Sequence, residues 1–155
     1  MAQTNLNFAT QIEDWVRRTE QRMTAVFRES TQETVEIMQR VGPSKRNPQG
    51  AGGAMPVDFG FLRASLVVSL TGLPPMTRAP SEGRSYSYNE GGATLAIAGA
   101  EIGDTIYAGY SANYAAFVEY GTSNTPPRGF VRFAASQWVA TVNRVTERAK
   151  ERAGR

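Results

Sequence analysis

The sequence predicts an α+β fold for a single domain that covers residues 1–155. Apolar side chains recur every three or four residues in a long segment at each end of the chain, as in amphipathic helices. Between these segments, short apolar runs are separated by glycine and proline, as in strands joined by turns. We therefore expect a long N-terminal helix, a three- to four-stranded antiparallel sheet with a short helix, and a C-terminal helix packed on the sheet.

The first segment, residues 1–41, is predicted to be one long helix that ends at Gly42 and Pro43. At about 1.5 Å per residue, its apolar stripe is roughly 50 Å long, which is more than one small sheet can cover. Residues 28–34 are polar almost throughout. Three interpretations stay open. The helix bends or ends near Ser30, one half packs on its own domain and the other on a neighbouring molecule, or the polar stretch is simply exposed.

Residues 42–57 are rich in glycine and proline and are predicted to form a flexible loop. Lys45 and Arg46 give this loop a positive charge. One interpretation is a surface excursion without a specific role. In a ring of subunits, the loop is instead expected to line a channel for DNA or to touch an adjacent ring.

Residues 58–134 are predicted to hold the sheet and the short helix. Asp58 is expected to cap one turn of helix, with Leu62 facing inward. Residues 72–92 contain several prolines and glycines and are expected to form a long irregular excursion. Strands are predicted at residues 65–71, 93–100 and 105–110.

The short helix is predicted from Tyr114 to Gly121, because glycine suits the residue that closes a helix. Within it, Glu119 has apolar and aromatic neighbours and is the acidic residue most expected to be partly buried. A buried carboxylate needs a cation. The candidates are Arg63, Arg128 and Arg132. We expect a structural or intersubunit ion pair here rather than a catalytic acid.

The final helix is predicted to cover residues 130–153, with one apolar face. Residues 107–155 carry seven basic and three acidic side chains, so the positive charge of the chain is concentrated there. The basic residues Arg144, Arg148 and Arg152 have two interpretations. They form a solvated face that the helix dipole favours, or they contact DNA phosphates or an acidic partner.

The sequence contains no histidine and no cysteine. These absences remove the commonest general base, the commonest transition-metal ligand and all thiolate chemistry. The acidic residues are scattered, so we expect a non-enzymatic protein with no cofactor and no metal. No run of about 18 apolar residues and no basic–apolar leader is present, which predicts a protein that contacts no membrane and stays in the cytoplasm where it is made.

Two blocks of sequence resemble the tail completion or head–tail joining proteins of long-tailed phages, which are small neck proteins often described as minor tail components. The first block is PVDFGFLRAS at Pro56–Ser65, and the second is YAAFVEYGT…PPRGFVRFAA at Tyr114–Ala135. The chain departs from the family pattern at Phe59, where threonine is usual, and at Gly129, where proline usually precedes the phenylalanine. These departures concern local turn geometry.

The resemblance implies an α+β subunit that forms a homo-oligomeric ring, expected to be a hexamer, at the head–tail junction of a virion. Such a ring would complete the upper end of the tail, dock it on the head connector or stopper, contact a tail terminator or tail tube protein, and leave a channel for DNA. It would assemble in the host cytoplasm. Two alternatives stay open: a tail terminator ring of the same neck, and a small basic DNA-binding protein.

Two sets of residues follow from these expectations. Residues expected to be structural or to lie at a subunit interface are Asp58, Gly60, Leu62, Arg63, Tyr114, Glu119, Gly121, Arg128 and Phe130. Residues expected to contact DNA or an adjacent ring are Lys45, Arg46, Arg144, Arg148 and Arg152.

Overall fold

The computed structural model describes the backbone of residues 2–154 and the side chains of residues 7–154. The α+β layout is confirmed, with helices dominating. The elements are α1 (Ala2–Gln39), β1 (Val41–Gly42), β2 (Met55–Pro56), α2 (Phe61–Ala64), β3 (Leu66–Ser69), α3 (Glu90–Ala98), β4 (Tyr107–Tyr110), α4 (Ala115–Tyr120), α5 (Phe130–Ser136) and α6 (Trp138–Ala153).

Helix α1 is unbroken from Ala2 to Gln39, so it does not end near Ser30. The polar stretch at residues 28–34 is not simply exposed either, because Ser30 and Thr31 are buried. The second half of α1 packs on α5 and α6 and continues into the core at Val35 and Met38. In contrast, most of the side chains at residues 7–21 are exposed.

The core lies where the middle of the chain meets α5. Met55 and Phe130 are almost fully buried there, and the ring of Phe130 stands edge-on to Tyr110, with 5.2 Å between ring centroids. The buried members of this cluster are Met38, Met55, Phe61, Leu62, Tyr110, Ala112, Ala115, Phe130 and Ala134. Residues from both sequence blocks of the family resemblance are therefore packed in one core.

The expected single antiparallel sheet is instead two separate pairs of strands. Strands β3 and β4 pair antiparallel, with Leu66 opposite Tyr110 and Ser69 opposite Tyr107. Strands β1 and β2 form a short parallel pair at the two ends of the 42–57 loop. The Ser44 hydroxyl also donates to the Val57 carbonyl at 2.8 Å, which ties the start of the loop to its end.

The strand predicted at residues 93–100 is wrong, because this segment lies in helix α3 and the turn after it. Leu95 and Ile97 alternate as in a strand, yet Leu95 is 77% exposed while Ala93 and Ile97 are buried. A strand would place all three residues on one face, so burial of positions 93 and 97 with position 95 exposed is the pattern of a helix. Asn89 begins α3 by accepting a hydrogen bond from the Gly92 backbone N–H through its side chain.

The predicted C-terminal helix is present as two helices, α5 and α6, that meet at Gln137. The Gln137 backbone N–H donates to the Ala134 carbonyl at 3.1 Å, a tighter turn than that of an α-helix. Both helices pack mainly on α1, and α5 reaches the β3–β4 pair through Phe130. None of the helices within the described chain is both long and apolar enough to cross a lipid bilayer.

Candidate functional site

The turn from α4 to α5 is organised by the buried side chain of Glu119. Its carboxylate oxygens accept hydrogen bonds from the backbone N–H groups of Val131 and Arg132, each at 3.0 Å. The Arg132 guanidinium adds an ion pair at 3.1 Å and also donates to the Glu119 carbonyl at 3.0 Å. Because the first N–H groups of a helix have no partner within it, Glu119 acts as a cap for α5 supplied by the preceding helix.

Of the three arginines proposed as partners of Glu119, Arg132 is the one that binds it. The Arg63 guanidinium lies 5.4 Å from the centre of the Tyr88 ring instead. Arg128 is half-buried, and its backbone N–H donates to the Val118 carbonyl at 2.9 Å. The expected ion pair is therefore present, but it is only one part of a cap made mostly by backbone groups.

Gly121 closes α4 as predicted, since its backbone N–H donates to the Phe117 carbonyl at 2.9 Å with a φ of 80°. A Cβ atom at this position would lie 2.8 Å from the Pro127 nitrogen, so a side chain does not fit. Gly121 thus lets the chain turn back within nine residues to place α5 under the Glu119 carboxylate.

Three large aromatic side chains lie on α4 and α5, the two helices that this cap joins. Phe117, Tyr120 and Phe133 are each more than half exposed. The Arg132 guanidinium lies 4.9 Å from the centre of the Tyr120 ring, which connects Tyr120 to the Glu119 cap. A rigid turn that presents aromatic rings is the type of surface that protein interfaces use.

The first sequence block places its residues differently from the prediction. Asp58 does not cap α2, because the N-cap is Gly60 and no side chain bonds there. Asp58 is exposed, and its carboxylate accepts a hydrogen bond from the Arg46 backbone N–H at 3.1 Å. This bond joins the 42–57 loop to the residue that follows it. Leu62 faces inward as expected and is buried.

Tyr114 and Phe130 hold the second block against the first. The Tyr114 ring lies 6.1 Å from the ring of Phe61, and it packs on the core beside Leu62 and Phe130. Burial raises the pKa of the Tyr114 hydroxyl and also that of Tyr110, so both side chains stay uncharged at neutral pH. Tyr110 belongs to the buried core cluster, and Tyr114 packs against it.

Two acidic residues of α1 bind the basic residues of α6, which the sequence alone did not reveal. Glu29 accepts from Arg148 at 3.0 Å and from Arg152 at 2.7 Å. Glu33 accepts from Arg144 at 2.6 Å and also binds Arg148. The acidic residues and the arginines each recur every four residues, which places each set on one helix face. This spacing could have indicated that the two helices pair through these faces. These three arginines are thus occupied within the chain.

The two basic residues of the 42–57 loop remain at the surface. Lys45 is exposed, and the Arg46 guanidinium lies 3.9 Å from the centre of the Phe59 ring. Phe59 is one of the positions where the chain departs from the family pattern, and here its ring gives Arg46 a stacking partner. The structure therefore brings Arg46, Asp58 and Phe59 together, in a group separate from the Glu119 cap.

Glu33→Gln is expected to lower the free energy of unfolding by about 1 kcal/mol near neutral pH, as for a partly exposed ion-pair network. Burial of the Glu33 carboxyl tends to raise its pKa, but hydrogen bonds and charge from Arg148 and Arg144 outweigh burial and lower it. Because the folded pKa is depressed, the stabilisation is present above the unfolded value of 4.5 and is lost as the pH falls through the folded value. Urea unfolding followed by helical circular dichroism at neutral and acidic pH measures this difference.

Glu147→Gln is the matched control, since Glu147 pairs with Lys150 at an exposed position of α6. This variant should match the unmodified chain at both pH values. A stability gap for Glu33→Gln that persists unchanged in acid would contradict the assignment.

Helix α1 carries uncovered apolar surface along its first half. Phe8 is 66% exposed, Ile12 47%, Trp15 62% and Val16 40%. We call residues 7–21 the α1 arm and these four side chains the arm stripe. The polar contacts of the arm include those of Arg17 and Arg18 with Asp14 in the same helix.

Beyond the arm, an apolar groove runs between α1 and α6. Its volume is about 380 Å³, and we call it the α1–α6 groove. The side chains that line it include Met23, Val26, Phe27, Ile102, Trp138 and Val142. Within residues 7–154, no group of three or more metal-binding side chains is placed to hold an ion.

Comparison with protein-family models, with curated proteins and with solved structures found no match. The arrangement itself therefore has to support any functional conclusion. It consists of a capped, rigid turn with exposed aromatic rings, an uncovered helical arm, and a basic helix whose arginines are bound internally.

Proposed function

We propose that this chain is a structural virion protein of a tailed phage. In this role it is a ring-forming tail completion or head–tail joining subunit that docks the tail on the head connector and leaves a channel for DNA. The observation that carries the proposal is the apolar surface of α1 that its own domain leaves uncovered. Helices have little stability in water without tertiary packing, so this surface is expected to be covered by another molecule in an assembly.

Packing of the two sequence blocks also supports the proposal. Phe61 and Leu62 of the first block share a core with Ala115 and Phe130 of the second. Residues that resemble those of neck proteins at separate places in the chain thus act together, as they would if they specified one common fold. The fold positions of Gly121 and Glu119 are consistent with a rigid turn at a subunit contact.

The partners proposed for this subunit are further copies of itself, the head connector or stopper, and a tail terminator or tail tube protein. DNA would pass through the channel. The subunit and its protein partners would assemble in the host cytoplasm. Lys45 and Arg46 are the proposed contacts to DNA or to an adjacent ring, because they lie at the surface. The tail terminator role is the alternative within the same neck, and the position of the protein in an imaged virion separates the two.

A small DNA-binding protein is less well supported. Glu29 and Glu33 neutralise much of the charge that Arg144, Arg148 and Arg152 would offer to phosphates. Strong binding to free duplex needs several such contacts and falls steeply with salt. A neck subunit needs only to tolerate DNA in its channel.

The molar mass in solution tests the proposal. We expect light scattering to give a multiple of the monomer mass, either for the chain alone or after the neighbouring head and tail proteins are added. We also expect only weak binding to free duplex DNA at physiological salt. A persistent monomer in both settings, or tight salt-dependent binding to free duplex, would count against a neck role.

A further inference from the structure

The α1 arm and the α1–α6 groove lie on one continuous helix. Met23, Val26 and Phe27 line the groove from α1, and the arm begins directly before them. Because a helix cannot fold back on itself without a break, the arm cannot enter the groove of its own chain. The arm stripe and the groove of one chain are therefore open to a partner other than each other.

We propose that the α1 arm of one copy occupies the α1–α6 groove of a neighbouring copy. This proposal rests on the ring-forming role proposed above and names the contact between its subunits. Each copy would give one arm and receive another, so the contact is head-to-tail and repeats from copy to copy. The stripe of Phe8, Ile12, Trp15 and Val16 would then meet the apolar walls at Ile102, Trp138 and Val142.

Charge complementarity favours a second copy as the occupant. Glu13 and Glu20 are seven residues apart and lie along one edge of the arm stripe, beside Val16. The groove carries Arg22 on its α1 side and, on its α6 side, Lys150, which pairs with Glu147. Because the two carboxylates share one edge, an arm that enters the groove can turn both of them towards the α1 side, where Arg22 lies, and this favours that orientation over its reverse.

The area available is consistent with such a contact. The four stripe side chains expose on the order of 400 Å², taking roughly 150–250 Å² for a large side chain. This is about half of the ~800 Å² that each partner contributes to a standard interface, before the polar edges of the arm are counted. We therefore expect an assembly whose average mass rises with concentration rather than a permanent complex.

Cross-linking between introduced cysteines tests the contact, since the chain has no cysteine of its own. One copy carries Ile12→Cys on the arm stripe, and the other carries Thr146→Cys in the groove. We expect a short bismaleimide to give a covalent dimer from the mixture and little from either copy alone. The control pair is Gln21→Cys, on the side of the arm away from the stripe, with Asn143→Cys on the exposed side of α6.

Charge variants test the same contact without cysteines. Trp15→Glu blocks the arm and Ile102→Glu blocks the groove, and both positions are exposed enough to spare folding, which circular dichroism checks. We expect each variant alone to stay a monomer in light scattering. An equal mixture should form a dimer, because one intact arm and one intact groove remain. Gln21→Glu should assemble as the unmodified chain does.

The outcomes separate this inference from the proposed function. If both charge variants form the same ring as the unmodified chain, or if the control cysteines cross-link as well as the test pair, the arm–groove contact is wrong while the neck role stands. If Ile102→Glu assembles alone but fails to bind an added tail protein, the groove belongs to that protein and the inference falls. A closed dimer joined by arm–groove contacts would support the inference and contradict the proposed ring.

Discussion

Glu119→Ala is expected to lower the free energy of unfolding by about 3 kcal/mol, because it leaves polar groups without partners at a buried turn. The carboxylate binds two backbone N–H groups at the start of α5 and the Arg132 guanidinium. Only the guanidinium can turn to water, since the Arg132 side chain is 54% exposed. The cost is therefore expected mainly from the uncapped helix end. Urea unfolding measured by circular dichroism gives the value.

A graded set of variants separates capping from ion pairing. Glu119→Gln keeps one oxygen acceptor in place and is expected to cost about 1.5 kcal/mol. Arg132→Ala removes the ion pair but keeps both backbone bonds to Glu119, and is expected to cost about 1 kcal/mol, as for a partly exposed pair. If Arg132→Ala proved as costly as Glu119→Ala, the ion pair and not the cap would be the main contribution.

Gly60→Ala is expected to be comparably severe, at about 3 kcal/mol, because two penalties add. Gly60 has a φ of 83°, which a residue with a Cβ adopts at a cost of about 1–2 kcal/mol. The added Cβ would also lie 2.2 Å from the Tyr86 carbonyl oxygen. The segment that carries Tyr86 would have to move, which breaks the hydrogen bond from the Tyr86 N–H to the Phe59 carbonyl.

Gly83→Ala is the matched control for Gly60→Ala. Gly83 has a φ of 67°, but a Cβ there meets no atom within 4 Å. We expect only the backbone penalty, about 1 kcal/mol, from this variant. Equal losses of unfolding free energy for the two variants in urea titrations would show that the close approach to Tyr86 carries no cost.

Features that depend on local sequence were predictable. The spacing of apolar residues predicted α1, the apolar and aromatic neighbours of Glu119 predicted that its carboxylate needs a cation, and Gly121 predicted the end of α4. Each of these depends on a few residues and a known backbone geometry. The same holds for Leu62, whose inward direction follows from its position in the α2 turn.

Features that depend on long-range packing were not predictable. The alternation of Leu95 and Ile97 fits a strand, and the exposure of Leu95 between the buried Ala93 and Ile97 is what identifies a helix. An apolar stripe on α6 shows that one face is buried but not which element covers it, so α1 was missed as its partner. Asp58 has the right chemistry for a cap, yet a glycine with a positive φ begins α2 instead.

The unbroken course of α1 gives the molecule a mechanical property. From Met23 to Phe8 the helix is roughly 22 Å long at about 1.5 Å per residue, and its second half packs on α5 and α6. A tilt of about ten degrees at its base would move Phe8 by about 4 Å, given that rise per residue. A small change in the angle between α6 and α1 would thus become a larger displacement of Phe8. In an assembly, that displacement would change the distance between neighbouring molecules.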